Sequence, residues 1–270
     1  MRSNDHDKHQ SWAELGERFM LLTRGRMAYL GFLGHPEARR FGALTVYVSI
    51  DNPFRIRIGH GSWQTAHMIV VAPETRHEIV SGDRLIAALL IEAETVAFED
   101  LPAWLRPCSD TREFDAQIRR LRDAFMSLRG KGNDVAGMKD DFDRHFFGHP
   151  LQPRKLDQRI MSVAALIGAD PGTLSSADDC ARRACLSVSR FLHLFKENMG
   201  TTLRRYRAWK RARNFLAHLN ASSNLTDIAF DIGYPDSSHF SHTVRWYWGL
   251  TPQNMVAGSR GLAVSDHRAD

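Results

Sequence analysis

The chain has 270 residues, 43% hydrophobic and 25% charged, a balance that excludes disorder, supports sizeable cores and makes two domains the natural division. Cys108, Cys180 and Cys185 lack paired spacing, which argues against a disulfide framework or a zinc site, and no run approaches the ~20 apolar residues of a membrane helix, so a cytoplasmic protein without a membrane partner is expected. The net charge of +5 is uneven: residues 1–150 hold 20 basic and 21 acidic groups, residues 151–270 hold 16 and 10.

Strand signals come first. Leu44–Ile50, Phe54–Ile58, Met68–Ala72 and Leu85–Glu92 are β-branched or alternating, and Asn52-Pro53, Gly59–Gly61, Pro73 and Gly82-Asp83 separate them. This pattern predicts a small sandwich or barrel over residues 1–130. From Phe114 the period changes: Phe114, Ile118, Leu121, Phe125 and Leu128 fall at three- and four-residue steps, giving an amphipathic helix whose stripe is either core or a homodimer seam. Residues 129–137 (RGKGNDVAG) and 148–153 (GHPLQP) are rich in Gly and Pro, so 131–155 is expected to be a linker.

The remainder reads as helices, at Leu156–Ile167, Asp178–Ala184, Val188–Asn198, Thr202–Leu219, Leu225–Ile232 and Ser237–Trp248. The fold class is therefore α+β multidomain, with an all-α unit over 156–256. Between Arg182 and Arg213 ten Lys or Arg face one acid, Glu197, a patch suited to a polyanion and above all to nucleic acid.

A single pattern occurs twice within this helical region, as CARRACLSVSRFLHLFKENMG (Cys180–Gly200) and IAFDIGYPDSSHFSHTVRWYWG (Ile228–Gly249). Phe191 and Phe240, Phe195 and Val244, and Gly200 and Gly249 are each 49 positions apart, a regularity that marks a repeat. Each copy is a short helix with a candidate N-cap (Ser176 or Asn224), a tight turn, and a second helix starting at Ser187 or Asp236. These are helix-turn-helix units over 176–200 and 224–252. The second helices bury their aromatic face and leave Ser189, Arg190, His193 and Lys196 exposed in the first copy. In the other, Ser237, Ser238, His239, His242 and Arg245 stay exposed. Hydrogen-bonding side chains at this place suit base edges in a major groove.

GYPDSSHF (Gly233–Phe240), Val244-Arg245-Trp246 and Gly249-Leu250-Thr251-Pro252 resemble the AraC/XylS signature, and the likeness extends from about Leu156 to Met255 through the arginine-rich helix Tyr206–Leu219. The resemblance implies two helix-turn-helix units on a rigid helix, set in successive major grooves about 34 Å apart. It further implies a transcription regulator of double-stranded DNA that recruits or blocks RNA polymerase, with a cupin-like sensor in front for a small-molecule effector. By analogy Ser189, His193, Ser237, His239 and His242 touch bases, joined by Arg190, Ser238 and Arg245. Lys196, Arg204, Arg205, Arg207 and Arg211 are expected on phosphates.

The first copy departs from the signature at Cys185, which stands where the second has Gly233, so its turn is expected to differ slightly. Phe215 replaces a small residue of the connecting helix, and Leu192 a polar one. The first copy is accordingly expected to grip more than it discriminates. No catalytic residue, metal or cofactor is expected, since His35, His60, His67 and His77 lack His-x-His spacing and a metal cupin requires that pair with a carboxylate. A cupin-type metalloenzyme fused to a DNA-binding module, and a sensor half that binds another protein, are the competing readings.

Overall fold

The computed structural model describes residues 18–34, 37–83, 85–107, 112–129, 141–172 and 176–268; Cys108, His35 and the stretch 131–140 of the expected linker lie outside them. Strands β1 (Phe19–Thr23), β2 (Arg26–Phe32), β3 (Ala43–Val48), β4 (Phe54–Ile58), β5 (Gln64–Ala66), β6 (Met68–Val71), β7 (His77–Val80) and β8 (Leu85–Glu92) precede the helices, and β9 (Ala263–His267) follows them. They form a six-stranded sheet in the order β6-β3-β8-β2-β1-β9 and a three-stranded sheet in the order β5-β4-β7. The sheet-rich half is thus two sheets and not a closed barrel.

Both faces of the large sheet are covered, as the unbroken burial of β3 requires. Alternate side chains point to opposite faces of a strand. Leu44, Val46 and Val48 therefore join Leu89 and Ile91 on one face, under α1 (Asp115–Leu128) and α2 (Phe142–Phe147). Ile118, Leu121, Phe125 and Leu128 of α1 are spent on that core, so the predicted stripe is covered by the chain's own sheet. Helix α2 corrects the expectation of a linker throughout 131–155: Phe142, Phe146 and Phe147 are buried with α1.

The C-terminal domain comprises α3 (Gln158–Ala169), α4 (Ala177–Arg183), α5 (Val188–Met199), α6 (Leu203–Asn214), α7 (Leu225–Asp231), α8 (Ser237–Trp248) and α9 (Pro252–Gly258). The single helix expected over Thr202–Leu219 instead tightens into a 3-10 turn at Phe215–His218. Phe215 and Leu216 are thereby buried in the core shared with the sheet, which accounts for an aromatic residue at Phe215.

The two helix-turn-helix units are anchored differently. The first copy has its own core, where Phe191 and Phe195 of α5 meet Ile160 and Val163 of α3 and Cys180 of α4. The second shares one continuous core with the other face of the large sheet: Phe240, Val244 and Trp248 of α8 lie with Trp209 and Ala212 of α6 and with Phe41, Tyr47 and Leu90. At Gly42 the approach is so close that a Cβ would lie 2.4 Å from the Trp209 ring. The chain end closes the assembly, since β9 pairs in parallel with β1 from Phe19–Ala263 to Thr23–His267.

Candidate nucleic-acid interface

Local chemistry fixes where each second helix starts. The Ser176 hydroxyl and Asp179 carboxylate form a reciprocal capping box on α4, and Asn224 accepts from Thr226 N and Asp227 N on α7. Ser187 and Asp236 cap α5 and α8 by accepting from Arg190 N and His239 N. Each cap satisfies donors that the first turn leaves without partners.

The turns between the paired helices are the same in both copies. Cys185 N donates to Arg182 O and Leu186 N to Ala181 O, as Gly233 N does to Phe230 O and Tyr234 N to Ala229 O. Cys185 and Gly233 both adopt left-handed φ, 53° and 85°. The expected difference at Cys185 is therefore absent, and the cysteine bears the conformational cost of about 1 kcal/mol that glycine avoids. The second copy differs in having one extra residue before its second helix, so that the copies are offset by 48 positions up to the turn and by 49 after it.

Helices α5 and α8 and the connecting helix α6 enclose one groove of about 1580 Å³. It brings together His193 and Lys196 of α5, Arg204, Arg205, Arg207 and Arg211 of α6, and His239 and His242 of α8. All five expected phosphate-binding residues line it. Ser189, Arg190, Ser237 and Ser238 are exposed on the first turns of α5 and α8, outside the groove lining. Leu192 also lines the groove and is 39% exposed.

Arg245 departs from the expected set. It lies in a side recess of about 300 Å³, where its Nε is 3.2 Å from Oε2 of Glu37 in the N-terminal half. Lys210 and Arg213 of the basic run turn away from the groove entirely. Lys210 Nζ is 2.5 Å from Glu92 Oε2 and 2.6 Å from Glu94 Oε1, and Arg213 Nε is 2.8 Å from Glu92 Oε1. Trp209 Nε1 donates to the same Glu92 carboxylate. These pairs bind α6 to the sheet, so the basic run divides between an exposed face and a buried joint.

A carboxylate also enters the groove. Glu74, with left-handed φ of 60°, lines it where the N-terminal half meets α6. Burial moves its carboxyl above the ordinary carboxylate value, while the charges of Arg205 and Arg40 oppose that shift. Neither Glu37 nor Glu74 carries a sequence signal; both acquire their place through tertiary contact.

A second, apolar cavity of about 300 Å³ lies between the large sheet and the C-terminal helices. Met27, Tyr47 and Leu90 line one side, and Leu216, Trp248 and Met255 the other. Arg39, 6% exposed, also lines it. Its Nη2 donates to Leu33 O at 2.5 Å, and its Nε has no acceptor among the described residues. No carboxylate pairs with Arg39 among the described residues. Beside it, Tyr47 and His77 Nε2 are 2.9 Å apart and His77 Nδ1 is 2.9 Å from Thr75 O. Only a proton on Nδ1 serves the carbonyl, so Nε2 accepts from the Tyr47 hydroxyl. Burial, the largest cause, holds His77 down at about 4.

His67 Nδ1 meets Ser49 Oγ and Arg122 Nη2, so His67 and His77 are engaged separately. Among the described residues no three His, Cys, Asp or Glu side chains are grouped to hold a metal ion. No described helix is long and apolar enough to cross a membrane.

Residues 180–257 match the family described as Helix-turn-helix domain. The chain is 34% identical over 88 residues to the HTH-type transcriptional activator RhaS of Escherichia coli O139:H28 (strain E24377A / ETEC), an alignment covering 32% of this chain and 31% of RhaS. It thus spans about a third of the length of that relative. Over most of its length the chain shares its fold with ToxT of Vibrio cholerae. The unsaturated fatty acid-bound structure from strain SCE256 has a TM-score of 0.56 at 11% identity, covering 87% of this chain and 95% of ToxT. The structure from strain O395 has a TM-score of 0.54 at 10% identity, covering 87% and 98%.

Proposed function

We propose that this chain, whose residues 180–257 match a helix-turn-helix domain, is an AraC/XylS-type regulator that binds double-stranded DNA sequence-specifically and regulates transcription in response to a small-molecule effector. The observation that carries the DNA reading is the single groove that joins α5, α6 and α8 and collects Lys196, Arg204, Arg205, Arg207 and Arg211. Charges arranged this way neutralise phosphates between two reading helices, while His193, His239 and His242 present ring nitrogens to base edges. If the five cations meet five phosphates, log K falls against log salt with a slope of about −4.5. A slope near zero for the full chain would remove the DNA reading.

The effector enters the apolar cavity beneath the second helix-turn-helix unit and carries an acidic group on an apolar body. A buried guanidinium without a counter-charge is costly, and an anion at Arg39 offsets that cost. The fatty acid held by ToxT is of this class. Because Leu216 and Trp248 line the same cavity, an occupant touches both the connecting helix and the second recognition helix. RNA polymerase is the partner through which such a regulator acts on transcription. Homodimer formation would use a surface other than the apolar stripe of α1, which the sheet occupies.

A further inference from the structure

The second recognition helix ends against the N-terminal half. Arg40 N donates to Tyr247 O at 3.0 Å, and the Arg40 guanidinium lies over the Trp246 ring, 4.4 Å from its centroid. Trp246 is 55% exposed, so this stack is at the surface. Stacking occupies one face of a guanidinium and leaves its N–H groups, which lie in the plane of the group, free to form a planar fork. That fork matches two oxygens of a phosphate.

The neighbouring charges single Arg40 out. Four arginines, Arg39, Arg40, Arg76 and Arg245, line the side recess of α8 with Glu37 and His242; Arg39 is buried and donates to Leu33 O. Arg245 is held by Glu37, and Arg76 by Glu78, which also takes Arg57. Arg40 makes no ion pair among the described residues; Glu74, whose field reaches it, is half-buried in the groove wall. His242 and Trp246 line both the recess and the main groove. Arg40 therefore stands on a continuation of the DNA-facing surface, at the end of α8, in a place that the helical domain itself cannot fill.

We infer that the N-terminal half supplies a DNA contact of its own, in which Arg40, oriented by Trp246, binds a backbone phosphate of the duplex read by α8. The inference rests on the DNA-binding reading and extends the interface beyond residues 156–256. It also sets two adjacent residues to different tasks: Arg39, which lines both the apolar cavity and the recess, is buried, and Arg40 faces the duplex.

The test measures the affinity of the full chain for a selected duplex between 50 and 200 mM salt, in the wild type, Arg40→Gln and Arg40→Lys. Loss of one phosphate contact makes the slope of log K against log salt shallower by about 0.9. Arg40→Gln is expected to show that change and Arg40→Lys to restore the slope. An unchanged slope in Arg40→Gln overturns the inference, even if affinity falls, because a residue that only props α8 weakens binding equally at every salt concentration. A wild-type slope near zero defeats the DNA reading itself, and the inference with it.

Discussion

Glu37 of the N-terminal half holds Arg245 of α8 across 3.2 Å, and both side chains remain largely exposed. A residue that sequence reasoning assigns to base edges is thus occupied by a carboxylate from a distant stretch of the chain. Exposed pairs contribute about 0.2–1 kcal/mol, so Glu37→Gln is expected to tighten DNA binding by up to about fivefold in fluorescence anisotropy. A loss of affinity would show that Arg245 does not face DNA.

A much stronger joint lies behind it. Glu92, 1% exposed, receives Lys210 and Trp209 and lies against Arg213. Removing one member of a buried charge pair leaves the others uncompensated, at about 3–5 kcal/mol. Glu92→Gln is expected to lower the unfolding free energy measured in urea by that order while leaving the exposed groove chemistry intact. A stability within 1 kcal/mol of wild type, again about the size of an exposed pair, would show that α6 is held by apolar packing alone.

His77 makes stability depend on pH. Its folded value is about 4, against 6.5 in the unfolded chain. Protons therefore bind the unfolded state first, and stability falls as pH drops from 6.5 towards 4. The full difference corresponds to about 3 kcal/mol. Urea unfolding of His77→Gln, followed between pH 4 and 7, is expected to lose this component of the slope. If the slope is retained, other groups carry it.

For the cavity, decanoate and decanol separate charge from bulk. Decanoate is expected to raise the wild-type Tm more than decanol does, and Arg39→Met to abolish the difference. Equal shifts in both proteins would place the acid elsewhere. Stabilisation at a hundredfold excess over Kd is about 2.7 kcal/mol, large enough to resolve.

The C-terminal architecture is legible in the sequence because its signals are local. Ser176, Asn224, Ser187 and Asp236 act on N–H groups two or three residues away, and the spacing of Phe191 to Phe195 records a helix face directly. The strand pattern marks β3, β4, β6 and β8, whereas β1, β2, β5, β7 and β9 escape it. Phe19–Thr23 is buried throughout and lacks alternation, while Ala263–His267 is largely polar and becomes a strand by pairing with β1.

The candidate site divides the same way. The groove cations follow from composition, but nothing in a linear pattern distinguishes Arg211, which lines the groove, from Lys210 and Arg213, which meet Glu92. Glu37, Arg39, Arg40 and Glu74 come to the interface from loops of the N-terminal half, and only tertiary packing reveals them.

Selection of bound sequences from a random duplex pool by the full chain tests most directly whether α5 and α8 read one duplex from a shared surface. Two enriched blocks centred about 10–10.5 base pairs apart are expected, with selection in one block relaxed by His242→Ala. A single block, or no enriched sequence at all, would contradict that shared reading.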